Sequence, residues 1–281
     1  MLVGGAEGLA FGGGMALAFL VFDPMPGDRL FRHAFGAVRL APAQAPELLA
    51  LLAALVRRAG LPRPPILHLI PSPTLQAVAA GSREAPSIAV TSGLLLTLSR
   101  RELAAVLAHE IAHIRHGDLL ILRLATAAAT LTRGMAHVGA LVLLAVLPVL
   151  WASGTVPSPL ALVLLLAAPL LSDVLTLWLS RRRELLADAG AVELTGDVAA
   201  LVRIWRLQGD DWERLASRGA RWLRWFRTHP TVEDRIAALR GMATPVRAAL
   251  SEPDRVVLVP REMWILGGRH PAQRLARRWL L

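Results

Sequence analysis

Two histidines and a glutamate stand at a spacing typical of metal-dependent hydrolysis. Residues 109–113 read His-Glu-Ile-Ala-His. Because residues four apart on a helix share one face, the imidazoles of His109 and His113 can converge on one ion. Glu110 lies one step round the helix, where it can reach an attacking water without being a ligand. A pair of surface histidines would sit on a polar face, whereas the flanking residues here are apolar. The motif predicts one zinc ion per chain, with Glu110 as the catalytic base.

A catalytic zinc site normally takes three protein ligands, so a further donor is needed. His116 lies about 10 Å along the helix axis from His109 and cannot share its ion. The chain has no cysteine, which leaves a carboxylate from another segment. Glu184 is the best candidate, with Asp188 one turn later as an acceptor for a ligand imidazole N–H. On these residues alone, however, a charged, solvated helix face at a membrane boundary is the stronger explanation of Glu184 and Asp188.

The elements before the motif predict a small sheet and two helices. Ser99 and Glu102 form a capping box, which opens the motif helix that ends near Gly117. An amphipathic helix is predicted from Pro46 to Arg58. Three runs have strand character: Ile66–Ile70, Leu75–Ala79 and Ser87–Thr91.

The composition predicts that part of the chain lies in a bilayer. Hydrophobic residues make up 54% and charged residues 19%. Two spans are predicted at residues 134–152 and 160–179, separated by a break from Pro148 to Pro159, and residues 1–22 are a further span. Arginines flank the outer ends of the hairpin, which places those ends in the cytoplasm. The expected fold is an α+β membrane protein, with a mostly helical zincin-like catalytic domain, a small β-sheet and about three transmembrane helices.

The predicted domain organisation is a catalytic domain interrupted by a membrane hairpin. Its first part covers residues 36–118, the hairpin covers 119–180, and the second part with a C-terminal extension covers 181–281. Within the hairpin Asp173 is costly in hydrocarbon unless it is paired. Equal lengths counted from a turn near Thr155 bring His137 to the same depth, so a polar contact between Asp173 and His137 is expected.

Three ordered motifs make the chain similar to a known family, the HtpX-type membrane metalloproteases, which are related to the CAAX prenyl proteases. The likeness covers roughly residues 40–240. Around the H-E-x-x-H helix it rests on VTSGLL at 90–95, RELAAVLA at 101–108, RELLAD at 183–188 and THP at 228–230.

This resemblance implies zinc-dependent endoproteolysis in bacterial membrane protein quality control. It implies Glu184 as the third zinc ligand, His229 as a hydrogen-bond donor to the tetrahedral oxyanion, and Arg235 as a residue that supports it. The chain departs from the family at the strand before the motif helix, where an Asn-Ala pair is usual. Here the matching stretch contains the expected substrate-binding residues Gln76, Ala77, Val78 and Ala79.

Two other functions remain open on the sequence. One is a CAAX-type prenyl-peptide protease, although those relatives have more spans. The other is a non-catalytic zinc-containing membrane scaffold or sensor, for which Glu110 would be unnecessary.

The expected partners are unfolded or misfolded membrane proteins and membrane lipid. The net charge of +10 comes from arginines beside apolar runs, which suits an anionic membrane face rather than nucleic acid. The expected location is the bacterial inner membrane, with the active site on the cytoplasmic side. The sequence leaves the oligomeric state open, a homo-oligomer included.

Overall fold

The computed structural model describes residues 27–216 and 230–240, which form a mostly helical chain with one small sheet. The strands are β1 (Val38–Arg39), β2 (Ile66–Ile70), β3 (Ala77–Gly81) and β4 (Pro86–Thr91). The first helices are α1 (Gly27–Phe35), α2 (Pro46–Ala59), α3 (Ser92–Thr97) and α4 (Arg100–His116). After them come α5 (Asp118–Ala152), α6 (Pro159–Thr195), α7 (Val198–Ala216) and α8 (Val232–Arg240). The predicted mostly helical fold with a small sheet is confirmed.

The described residues divide into two compact units. One comprises residues 120–181. The other comprises residues 27–119 with 182–216 and 230–240. The predicted span over residues 1–22 and the extension from residue 241 lie outside the described residues.

The sheet is mixed and covered by helices on both faces. Its order is β1-β2-β4-β3, with β2 and β4 parallel and the two outer pairs antiparallel. Alternate residues of a strand point to opposite faces. Accordingly Leu67 and Ile88 join the main core with α2 and α4, whereas Ile70 and Ala89 pack with Phe31 of α1. Helix α4 is therefore buried between the sheet and its neighbouring helices.

Strand β3 begins two residues later than the pattern predicts. The preceding residues are held by Thr91, whose backbone N–H donates to the carbonyl of Gln76 at 3.0 Å. The Thr91 hydroxyl also donates to the carbonyl of Thr74 at 2.5 Å and accepts from the N–H of Gln76 at 3.1 Å. These hydrogen bonds of the Thr91 side chain take the place of strand pairing at the start of the predicted strand.

Two helices are long and apolar enough to cross a membrane, namely α5 and α6. Both extend beyond the predicted spans, and α5 continues through Pro148 to Ala152. The chain reverses at residues 153–158, where Gly154 has a φ of +66°. Proline removes one backbone donor but does not by itself end a helix whose flanks are apolar.

The expected contact between Asp173 and His137 is wrong. Nδ1 of His137 instead lies 2.7 Å from the carbonyl oxygen of Arg133, one turn back on its own helix. The carboxylate of Asp173 lies 3.7 Å from the guanidinium of Arg133. A long cationic side chain reaches across a helix pair more readily than an imidazole does, so depth alone misidentified the partner.

Candidate metal centre

Helix α4 presents His109, Glu110 and His113 from a buried position. The capping box at its start forms as predicted: Ser99 N–H donates to Glu102 at 2.8 Å, and the Ser99 side chain accepts from Glu102 N–H at 3.4 Å. The helix ends at Gly117, whose φ of +71° suits glycine. Its hydrophobic positions are almost fully buried, which fixes the face that carries the histidines.

Helix α6 brings Glu184 to the two histidines. One ligand atom from each of His109, His113 and Glu184 lies within 4.8 Å of the others. The two Nε2 atoms are 3.1 Å apart. Glu184 oxygens lie 3.5 Å from Nε2 of His109 and 3.8 Å from Nε2 of His113. Ligand atoms arranged tetrahedrally at about 2.0–2.2 Å from one ion are about 3.3–3.6 Å apart. These separations fit a single small metal ion.

Each histidine faces a carboxylate through its other ring nitrogen. Nδ1 of His109 lies 2.9 Å from Asp188, and Nδ1 of His113 lies 2.7 Å from Asp118. A carboxylate at Nδ1 favours the tautomer that carries its proton there, which leaves Nε2 as a lone-pair donor. Both lone pairs then point to the same place, as a shared metal requires.

Each of those carboxylates is held by an arginine. Arg235 on α8 donates to both oxygens of Asp188, at 2.7 Å and 2.5 Å. Its guanidinium also lies 4.3 Å from the ring centroid of Trp205 and 3.6 Å from Glu184. Arg183 forms the corresponding ion pair with Asp118. The two arginines neutralise carboxylates that would be costly to bury alone.

The two imidazoles have opposite pKa shifts in the metal-free protein. Burial lowers the pKa of His109, but Asp188 and Glu184 outweigh it and raise the value to about 10. Burial and the neighbouring His109 lower the pKa of His113. A metal ion bound by both imidazoles would replace any proton at their Nε2 atoms.

Glu110 is placed beside this group as a buried acid. Glu110 is 9% exposed. Burial raises the pKa of its carboxyl group. His109 and His113 lower this pKa, whereas Glu184 raises it further. A hydrogen bond from the backbone of Ala79 also favours the ionised form. A carboxylate whose pKa is moved toward neutrality is suited to general base catalysis.

Strand β3 is the sheet edge next to Glu110. Gln76 pairs by hydrogen bond with Thr91, and such pairs alternate along an antiparallel ladder. The main-chain groups of Ala77 and Ala79, which lie opposite Val90 and Ile88, therefore point away from the sheet. Val78 is 44% exposed. Of the expected substrate-binding residues, Ala77, Val78 and Ala79 lie on this edge, whereas Gln76 precedes the strand and is tied to Thr91.

The sequence pattern did not identify three residues of this arrangement. These residues are Asp118, Arg183 and Trp205, to which the sequence analysis assigned no role at a metal site. The available signal for Asp118 was its position five residues after His113, directly after the glycine that ends the helix. His229 lies outside the described residues. Among the described residues, His116 is not part of the metal-ligand group.

Comparison with known proteins places these motifs in a family. The sequence profile of Peptidase family M48 matches residues 42–243. The Protease HtpX homolog of Acaryochloris marina is 35% identical over 260 residues, covering 85% of this chain and 86% of the relative. That of Acidiphilium cryptum is 36% identical over 241 residues, covering 77% and 80%.

Among solved structures, the crystal structure of S. mikatae Ste24p is similar in fold. Its TM-score is 0.50 at 20% identity. The match covers 83% of this chain and 56% of that one.

Proposed function

The chain belongs to Peptidase family M48, and on that premise we propose that it is a membrane-bound zinc endopeptidase that cleaves misfolded or damaged membrane proteins. The observation that carries the proposal is the convergence of His109, His113 and Glu184 beside Glu110. Family membership makes the chain a metalloprotease. The choice of zinc and the substrate class are the proposed parts.

Zinc suits the donor set of two imidazoles and one carboxylate, which is a known catalytic combination for this ion. Held by His109, His113 and Glu184, it would polarise the scissile carbonyl and lower the pKa of a water molecule. Asp188 and Asp118 orient the two imidazoles, and Arg235 keeps Asp188 in place. Arg235 was first expected to support His229. In this proposal it acts through Asp188 instead.

Glu110 performs the proton transfers. It takes a proton from the attacking water and delivers it to the leaving amine. Burial favours this second step, because a carboxylate with a raised pKa holds the proton until the amine departs. His229 donates to the oxyanion of the tetrahedral intermediate.

Substrate binds as an added strand on the edge of β3. The outward main-chain groups of Ala77 and the carbonyl of Ala79 pair with an extended peptide, whose next carbonyl then lies near Glu110. Pairing of this kind depends little on side chains, which suits an enzyme acting on many unfolded proteins. The side chains of β3 are alanines and one valine, and such small side chains select little among the side chains of a substrate.

The catalytic domain is zincin-like and cytoplasmic, and the protein lies in the bacterial inner membrane. Helices α5 and α6 supply two spans, and residues 1–22 supply a third. The predicted organisation, with a catalytic domain in two parts (36–118 and 181–281) around a hairpin at 119–180, belongs to this proposal.

Metal content and proteolysis, measured together on detergent-purified protein, test the proposal. We expect about one zinc per chain and cleavage of casein that stops on removal of the metal by a chelator and returns when Zn²⁺ is restored. Zinc binding without cleavage of any unfolded protein would favour a scaffold. Cleavage that persists after complete metal removal would refute the zinc mechanism.

A further inference from the structure

Arg183 links three elements at the point where the metal ligands meet. It lies on α6 immediately before Glu184. Its Nη2 donates to the carbonyl of His116 at 3.0 Å, in the last turn of α4. The same guanidinium forms an ion pair with Asp118, the first residue of α5. One side chain thus contacts both the end of the histidine helix and the residue that follows its terminal turn.

Asp118 passes this contact on to a metal ligand. Its side chain is fully buried, and its second oxygen lies 2.7 Å from Nδ1 of His113. An isolated carboxylate at such a position would be unstable unless a cation neutralised it. Arg183 provides that charge, and its Nη2 contacts both the carboxylate of Asp118 and the carbonyl of His116. The orientation of His113 therefore depends on Arg183.

Close packing on the same pair of helices provides a second fixed point. A Cβ placed on Gly190 of α6 would lie 2.8 Å from the Cβ of Ala112 on α4. The helices touch there with no intervening side chain. With the contact of Arg183 on His116 nearly two turns earlier on α6, the separation of the two ligand-bearing helices is held at two places.

We propose that Arg183, acting through Asp118, is a positioning residue that fixes the ring of His113 and its distance to Glu184. The proposal rests on the proposed metal site and adds a determinant of its affinity. Arg183 touches neither the metal position nor the substrate edge. Substitution of Arg183 should therefore weaken metal binding rather than act directly on a chemical step.

An ion pair between a mostly exposed arginine at the start of α4 and a buried carboxylate supplies a control. Asp197 is 9% exposed and lies 2.8 Å from Arg101. It also accepts from the N–H of Ala200 at 3.0 Å, at the start of α7. Asp197→Ala removes a buried carboxylate and a helix cap, so it lowers stability without touching a histidine.

The experiment measures the zinc affinity of the full chain in detergent by competition with a chromophoric chelator. Cooperative thermal unfolding of each variant checks that it is folded. Arg183→Ala is expected to weaken Zn²⁺ binding about 10- to 100-fold, as loss of groups that orient a metal ligand does. Arg183→Lys, which keeps the charge but replaces the guanidinium by an ammonium of different reach, should fall between this variant and wild type. Asp197→Ala should bind zinc like wild type.

A double-mutant cycle with Asp118→Asn distinguishes a relay from two separate effects. If Arg183 acts through Asp118, the double variant binds zinc no more weakly than the poorer single variant. A folded Arg183→Ala protein with wild-type zinc affinity overturns the inference, as does an equal loss in Asp197→Ala. Should Arg183→Ala fail to fold, Arg183→Lys decides in the same way. Absence of zinc binding in the wild-type protein would instead refute the proposed function.

Discussion

Nε2 of His109 lies 3.1 Å from Nε2 of His113. With a carboxylate at each Nδ1, the two lone pairs would repel unless a proton or a metal ion lay between them. Glu184 adds a negative charge that stabilises either one, and it adds the third donor that a metal ion needs at the same point.

Glu184→Ala should therefore lose most of its zinc and loosen the catalytic domain, since metal binding is coupled to folding. The measurements are zinc per chain and the thermal unfolding midpoint. Glu193→Ala is the control, because Glu193 lies on the same helix but its side chain is 61% exposed in a surface pair with Arg115. Full zinc occupancy in Glu184→Ala would exclude Glu184 as a ligand.

Glu110→Gln should separate metal binding from catalysis. The amide keeps the shape of the side chain but cannot accept the proton, so peptide hydrolysis should fall at least about 10²- to 10⁴-fold. Zinc content, determined on the same preparation, should remain near wild type. A Glu110→Gln protein that cleaves at the wild-type rate would contradict the assigned role.

Thr91→Val should affect substrate binding more than turnover. Valine has the same shape but loses the hydroxyl bonds to Thr74 and Gln76 that anchor the start of β3. We expect KM for an unfolded substrate to rise while zinc content is unchanged. Thr130→Val serves as the control, because the Thr130 hydroxyl bonds only within its own helix, to Thr126. An unchanged KM would show that the edge strand does not depend on this anchor.

Gly190→Ala should weaken the protein even though alanine normally stabilises a helix relative to glycine, by about 1 kcal/mol. The added methyl would meet Ala112 at 2.8 Å and push the two ligand-bearing helices apart. Lower thermal stability and weaker zinc binding are expected. Gly134→Ala, where nothing lies within 4 Å of the added Cβ, should be neutral or stabilising. Equal behaviour of the two variants would argue against tight packing at Gly190.

The topology follows from the meeting of His113 and Glu184, which lie before and after the apolar block. A shared metal requires an even number of membrane crossings between Leu119 and Ser180, and two are expected. Reporter fusions after Gly117 and after Ser180 should both read as cytoplasmic. A periplasmic signal at one site with a cytoplasmic signal at the other would be incompatible with the zinc assignment.

The sequence predicted those parts of the fold that depend on local chemistry. The capping box at Ser99 and the end of α4 at Gly117 are set by neighbouring residues, and both formed as expected. Asp118 could not be assigned in this way, because its partners are His113, beyond a helix end, and Arg183, in another element. Several polar residues were possible partners of Asp173, and their spacing along the sequence could not show that Arg133 is its partner rather than His137.

The arginines described around the metal centre also settle its electrostatic balance. Arg183 and Arg235 cancel Asp118 and Asp188, and with neutral imidazoles the formal charge that remains is that of Glu110 and Glu184. A divalent cation compensates this charge, whereas a monovalent ion leaves an excess and a trivalent ion overcompensates. When Glu110 takes a proton from the attacking water, its negative charge passes to the water oxygen and then to the oxyanion of the tetrahedral intermediate, so the net charge of the centre is unchanged. The charge that a bound ion must balance therefore depends partly on Arg183 and Arg235, which are not among its ligands.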